Sequence, residues 1–242
     1  ADRERIGLYD VASKKLRVLT EAWDRSASSI TWSADGKTIF TSADNVGNHA
    51  QWALDVASGK EKLLVDKGTN NTPRIAGDRV LFLKDTLKMP TEIFTMKPDG
   101  SDVRQLTRIN ETRLKAIQFG DYEQFSCKGA KGDTVYGFAM KPAGFTGGTG
   151  SGAKFPVAML VHGGPQGSFG DHFHYRWNPQ AYAGRGYGVV FIDFHGSTGY
   201  GQAFTDAIRG DWGGAPYEDL MLGIDAALAK FTWLDGNRMA AL

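Results

Sequence analysis

Two glycine-bearing runs in the second half of the chain carry residue types suited to acyl-transfer chemistry. The first, His162-Gly163-Gly164-Pro165, follows the apolar run Val157–Val161. The second, Asp193-Phe194-His195-Gly196-Ser197-Thr198-Gly199-Tyr200-Gly201, follows Val189–Ile192. Glycines at a strand end let the backbone approach a bound group closely. A backbone N–H aimed at a developing oxyanion lowers a barrier by about 3 kcal/mol, and Gly164 is the donor expected here. Ser197 lacks the spacing of an activated nucleophile and reads as a turn residue bonding local backbone. His195 has no acid–base circuit readable in sequence, so it is structural or lies beside substrate. His172 and His174 have H-x-H spacing near Asp171, but no HExxH and no cysteine pair accompanies them, so no metal is expected. The glycine order after Asp193 is not the dinucleotide fingerprint, and no cofactor is expected. Cys127 is the single cysteine; no intrachain disulfide can form, and an inert thiol is the expectation.

These runs need elements to hold them. Val157–Val161, Val189–Ile192 and Met239–Leu242 are continuously apolar, as in strands covered on both faces of a parallel sheet. Arg238–Leu242 reads as the start of the last of these, buried near the sheet centre. Helices separate the strands. Asn178 can cap one, with Pro179 at its first position and Trp177 and Tyr182 as a hydrophobic staple. A second starts near Pro216, with Glu218 and Asp219 in its first turn. Leu220, Ile224, Ala227, Leu228 and Phe231 fall on one face of it. Tyr122–Cys127 and Thr134–Met140 form a hairpin, and Phe145–Lys154 is a glycine-rich connection. The alternation implies right-handed crossovers in a doubly wound sheet. This is the pattern of an α/β-hydrolase, in which the loop after the third strand donates an oxyanion N–H and a later strand enters the nucleophile turn G-x-S-x-G. No G-x-S-x-G occurs. The expectation is therefore an internal fragment that ends before the nucleophile and does no chemistry alone.

Residues 1–110 repeat. Leu8–Thr20 resembles Ala53–Val65 and then Phe94–Thr107, and Trp32–Phe40 aligns with Arg74–Phe82. Each copy holds short strands joined by turns at Ala34-Asp35-Gly36, Ser58-Gly59 and Asp99-Gly100. Asp-Gly and Ser-Gly supply the positive backbone angles that tight hairpins need. A period of roughly 40–45 residues with four short strands marks a β-propeller blade. A plain sandwich fits less well, because the copies share both turn position and strand order. The fold expected is thus β-propeller blades over 1–110, followed by the N-terminal part of an α/β-hydrolase domain over 111–242, both incomplete.

Lys and Arg total 28 against 27 Asp and Glu, a net charge of +1. That balance gives no electrostatic case for nucleic acid, and no apolar run approaches the roughly 20 residues of a membrane span. Neither fact fixes a compartment.

The runs LVHGGPQGS, YRWN, DFHGSTGYGQAF, GDWGG and PYEDLMLGID, in that order, resemble the prolyl-oligopeptidase family of serine peptidases. The likeness is to its acylaminoacyl-peptidase and fifth-type dipeptidyl-peptidase group. His162–Gln166, Arg176–Asn178 and His195–Gln202 carry most of it, and WSADGK at Trp32–Lys37 is similar to the blades of this family and of TolB-like proteins. The resemblance implies a propeller capping a hydrolase domain, short peptide substrates, and a Ser-His-Asp triad lying outside these residues. It maps the oxyanion donor onto Gly164 and substrate contacts onto Arg176, Trp177, Asn178 and His195. The remainder of the same protein is an implied partner, and open strand edges also invite a homo-oligomer. Two other readings remain open: another α/β-hydrolase esterase, or a TolB-like propeller that binds proteins.

Overall fold

The computed structural model describes residues 2–145 and 152–242. Residues 146–151 of the glycine-rich connection lie outside the described residues. Strands β1 (Gly7–Asp10) and β2 (Lys15–Val18) form a two-stranded antiparallel sheet. Then come two four-stranded meanders. The first holds β3 (Ser29–Trp32), β4 (Thr38–Asn45), β5 (Asn48–Asp55) and β6 (Glu61–Val65). The second holds β7 (Thr69–Ala76), β8 (Arg79–Thr86), β9 (Met89–Met96) and β10 (Arg104–Gln105). A single parallel pair, His49 with Thr69, joins the two meanders.

The sequence repeats map onto this arrangement. Leu8–Thr20, Ala53–Val65 and Phe94–Thr107 are the closing hairpin of successive blades, and Trp32–Phe40 and Arg74–Phe82 are the opening one. Each closing turn is tied by an aspartate. Asp10 Oδ1 accepts from the Ser13 N–H and Oγ, Asp55 Oδ1 from those of Ser58, and Asp99 Oδ1 from those of Ser101. Alternation along the strands divides their buried side chains. Ile39, Ala43 and Leu54 pack with Ile6, Leu19 and Trp23 of the preceding hairpin. Phe40 and Ala53 pack with Val80, Phe82 and Met96 of the next blade. Period-2 geometry therefore links each sheet to both neighbours.

A short helix α1 (Glu111–Leu114) precedes the second sheet. This sheet has the order β11 (Tyr122–Lys128), β12 (Thr134–Met140), β14 (Gly188–Asp193), β13 (Phe155–Leu160), β15 (Leu234–Ala241). β11 and β12 are the expected hairpin; β13, β14 and β15 run parallel, and β12 is antiparallel to β14. Helix α2 (Pro179–Ala183) begins at Asn178, whose side chain accepts the Gln180 N–H as an N-cap. It packs with Ala158, Leu160, Val189 and Phe191 on one face of the sheet. On the opposite face, α4 (Ala215–Lys230) buries Ile224 and Ala227 against Val157, Met159, Val190 and Ile192. With helices on both faces, β13 and β14 are apolar at successive positions, which accounts for their continuous runs. A further short helix, α3 (Gln202–Asp206), follows the second glycine-rich run.

β15 departs from expectation in extent and burial. It begins at Leu234, and its last six residues are exposed, because it lies at the sheet edge beside β13. No helix among the described residues is long and apolar enough to cross a membrane.

Candidate functional site

The carboxyl ends of β13 and β14 lie side by side, and the two glycine-rich runs leave from them. Open α/β sheets bind ligands outside these strand ends. Gly164 has φ +132°, and a Cβ there would lie 2.8 Å from the Gln166 nitrogen, so only glycine fits without strain. Among the described residues, the Gly164 N–H meets no acceptor. Gly163 has open space where a Cβ would project. Two concavities flank this loop. One, of about 430 Å³, is lined by Gly163 with Phe169, Trp177, Tyr182 and Leu87 of the propeller. The other, of about 380 Å³, is lined by Gly163 and Gly164 with Phe194, Trp212 and Tyr217.

A buried polar hub stands behind the loop. Asp193, the last residue of β14, is 4% exposed. Its Oδ2 accepts from Ser168 Oγ at 2.5 Å and Tyr200 Oη at 2.6 Å, and its Oδ1 from the Phe169 N–H at 3.0 Å. Burial pushes this carboxyl's pKa up, against the pull of His162 and these donors. Burial, and then the Asp193 charge, likewise raises the Tyr200 phenol. His162 Nε2 lies 3.0 Å from Ser197 Oγ and 3.6 Å from Asp193 Oδ1, while Nδ1 lies 2.9 Å from the Gly163 carbonyl oxygen. Ser, His and Asp are thus neighbours without forming a catalytic triad. In a triad the carboxylate holds Nδ1 and the serine faces Nε2; here both face Nε2. Ser197 is fully buried as well.

The sequence-derived substrate contacts are dispersed. Trp177 lines the larger cavity and is half exposed, with the Arg176 guanidinium stacked 4.9 Å from its ring centre. Asn178 spends its side chain on the cap of α2. His195 is 1% exposed and lines neither of these two cavities. Its Nδ1 lies 2.6 Å from Asp219 Oδ2, its Nε2 lies 3.1 Å from Asp133, and its ring stacks on Phe204. His172 Nδ1 pairs with Asp85, whereas His174 Nδ1 accepts the N–H groups of Arg176 and Trp177. These nitrogens are occupied, and among the described residues no cluster of metal-ligating side chains forms. Cys127 is half buried in β11, and burial raises its thiol pKa.

The propeller reaches this site directly. Asp171 Oδ1 accepts from the Leu87 N–H and the Tyr122 hydroxyl, and the Asp171 N–H donates to Gly47 O. Thr198 Oγ1 donates to Asp44, and the Val46 N–H to Gly199 O. Asp193, His162 and Asp219 are the residues that sequence reasoning missed. Their only local signals are a strand-end aspartate, the first residue of the HGGP run and an acid next to the first turn of a helix.

Propeller blades leading into a doubly wound sheet, with a glycine-rich loop at the end of its first parallel strand, make up a fold of propeller blades joined to an α/β-hydrolase sheet. Residues 173–242 match the model of the prolyl oligopeptidase family. A probable dipeptidyl-peptidase 5 of Aspergillus clavatus is 35% identical over 228 residues, 91% of this chain and 31% of that protein. Dipeptidyl-peptidase 5 of Aspergillus fumigatus is 34% identical, with the same coverage. The Pyrococcus horikoshii acylaminoacyl peptidase superposes with TM-score 0.82 at 24% identity, covering 98% of this chain and 36% of that one. An acylaminoacyl peptidase in complex with Z-Gly-Gly-Phe-chloromethyl ketone superposes at 0.83 and 23% identity, again covering 98% of this chain and 36% of that one. The chain is similar to members of the prolyl oligopeptidase family, and it spans about a third of the length of these relatives.

Proposed function

We propose that this chain carries the propeller-facing, oxyanion-loop portion of a serine peptidase that cleaves short peptides, of the dipeptidyl- or acylaminoacyl-peptidase type. The observation that carries the reading is the unpartnered Gly164 N–H at the end of β13, set between two cavities. Acyl transfer needs such a donor where the carbonyl oxygen gains charge. The apolar cavity beside it, walled by Phe169, Trp177 and Tyr182, suits an apolar peptide side chain. Arg176 holds the Trp177 ring in place by stacking. The nucleophile, base and orienting acid come from residues outside this chain. In this reading 1–110 is the propeller that screens substrates by size, and 111–242 opens the hydrolase domain.

The test uses the protein extended to the length of its relatives, alongside this chain alone. The longer protein should react with a fluorophosphonate probe and hydrolyse dipeptidyl or acylaminoacyl chromogenic substrates, whereas the chain alone should do neither. Hydrolysis of simple esters without peptides, or no labelling at all, would reject the reading.

A further inference from the structure

The tip of the β8–β9 hairpin has the wrong chemistry for an open propeller surface. Two-residue tips favour Gly, Asn and Asp, and the β7–β8 tip, Gly77-Asp78, follows that rule. The β8–β9 tip is Leu87-Lys88, closed by the pairing of Thr86 with Met89. Leu87 is 1% exposed. It packs with Phe138, Leu160 and Phe191 of the second sheet, and Phe169 and Tyr182 lie against the same cluster. Leu160, Phe169 and Tyr182 also line the cavity of about 430 Å³, together with Leu87. Among the described residues, Leu87 is the one propeller residue in that wall.

We propose that Leu87 is a specificity-determining residue: this hairpin tip, supplied by the propeller, sets how large an apolar substrate side chain the cavity admits. The inference rests on the peptidase reading above. A wall residue limits size only if it holds still, and this tip is tied down. The Leu87 N–H donates to Asp171 Oδ1 at 2.8 Å. Asp171 is 6% exposed, and the same oxygen accepts from the Tyr122 hydroxyl at 2.8 Å. The Asp171 N–H donates to Gly47 O at 2.8 Å. Lys88, the other residue of the tip, pairs with Asp121. The anchors thus come from the loop after HGGP, from β11 and from the β4–β5 turn. A leucine held in this way does not swing aside for a bulkier guest, and closely packed neighbours yield only at a cost. Size discrimination then follows from contact. One methylene more or less in an apolar pocket changes kcat/KM by about 10–200-fold.

Two substitutions move the wall in opposite directions. Leu87→Val draws it back and Leu87→Phe pushes it in. The full-length active enzyme is assayed on two series of p-nitroanilides, Ala-X and X-Ala, with free or acetylated amino ends and Ala, Val, Leu or Phe as X. At the position whose side chain enters the cavity, Leu87→Val should raise the kcat/KM ratio of Phe over Val about tenfold. Leu87→Phe should lower the same ratio by about as much. The other position should keep its wild-type ratios. A residue that only supports the fold would instead lower kcat/KM for all substrates alike. Unchanged ratios at both positions, or equal losses across the series, would overturn the proposal. Should either variant fail to fold, a crystal structure of the wild-type protein with the product dipeptide Ala-Phe or Phe-Ala decides. A phenyl ring within about 4.5 Å of Leu87 supports the proposal, and a ring seated elsewhere in both complexes overturns it. A wild-type enzyme that cleaves no peptide would refute the peptidase reading and this inference with it, whereas peptide cleavage with unchanged ratios refutes the inference alone.

Discussion

Asp85 of β8 accepts a hydrogen bond from His172 Nδ1 at 2.7 Å, linking the propeller to the loop that follows HGGP. The same oxygen accepts the Phe173 N–H at 2.8 Å, and Asp85 is 3% exposed. The hydrogen bond to Asp85 is the largest influence on His172 and raises its pKa; burial opposes it, and the charges of Asp85 and Asp171 add to the rise. A histidine whose folded pKa is raised contributes stability that is complete below its unfolded pKa of about 6.5 and fades as pH rises through the folded value. Wild type should therefore melt above His172→Gln at about pH 5.5, and the gap should narrow toward about pH 8. Half of this imidazole is exposed, so screening keeps the gap small. Melting curves of both proteins across pH decide the point; a gap that is constant or widens with pH contradicts it.

The propeller and the second sheet meet with little clearance. A Cβ on Gly170 would lie 2.3 Å from the Gly47 carbonyl oxygen, in the turn between β4 and β5. The neighbouring Asp171 N–H donates to that same oxygen at 2.8 Å. Backbone faces backbone here, so neither side can yield as a flexible side chain would. Gly170→Ala should cost about 1–3 kcal/mol, the usual range for overpacking, and should loosen the seam before the sheets. Denaturant titration gives the cost, and hydrogen exchange at Leu87 and Asp171 locates it. An unchanged midpoint would show that the loops separate freely.

Much of this fold was legible because its signals are local. The Asp-Gly and Ser-Gly turns set the hairpins; Gly36, Gly59 and Gly100 all have positive φ. Runs such as Val189–Ile192 declared a strand covered on both faces, and Asn178-Pro179 announced a helix start. The hub behind HGGP was not legible. Asp193, Ser168, Tyr200 and His162 come from different strand ends, and only the sheet's crossovers bring them together. Asp219 illustrates the same limit. Its helix position suggested a charge–dipole role, yet it is fully buried and bonded to a turn 89 residues away. His195 reads in sequence as structural or as lying beside substrate; its ring faces inward, where Nδ1 meets Asp219. β15 reads in sequence as a strand that needs neighbours on both sides; among the described residues it pairs with β13 alone.

Asp219 should be a stability residue. Its Oδ1 accepts the Ala130 N–H at 2.8 Å, and its Oδ2 accepts the His195 N–H at 2.7 Å and faces His195 Nδ1 at 2.6 Å. Asp219→Ala strands these buried donors, and a buried donor left without its acceptor costs about 1–3 kcal/mol. Asp219→Asn keeps one acceptor oxygen and should cost less. Chemical denaturation of the three proteins measures both, and an alanine variant as stable as wild type would remove Asp219 from the framework.

The two adjacent glycines of the HGGP loop should respond oppositely to the same methyl group. At Gly164, φ is +132° and the added Cβ would crowd the Gln166 nitrogen. Alanine there carries backbone strain of about 1–3 kcal/mol, relieved only by rotating the peptide that bears the proposed oxyanion donor. Turnover in the active full-length enzyme should then fall about 100-fold or more. At Gly163 nothing lies within 4 Å of the added Cβ. Alanine there should change stability by no more than about 0.5 kcal/mol. Because Gly163 lines both cavities, its methyl would occupy space that the proposed function gives to substrate and should raise KM more than it lowers kcat. Steady-state kinetics on the two variants, with melting curves as a control for folding, gives the comparison. If Gly164→Ala keeps wild-type kcat while Gly163→Ala loses it, the donor lies one residue earlier than the loop geometry implies.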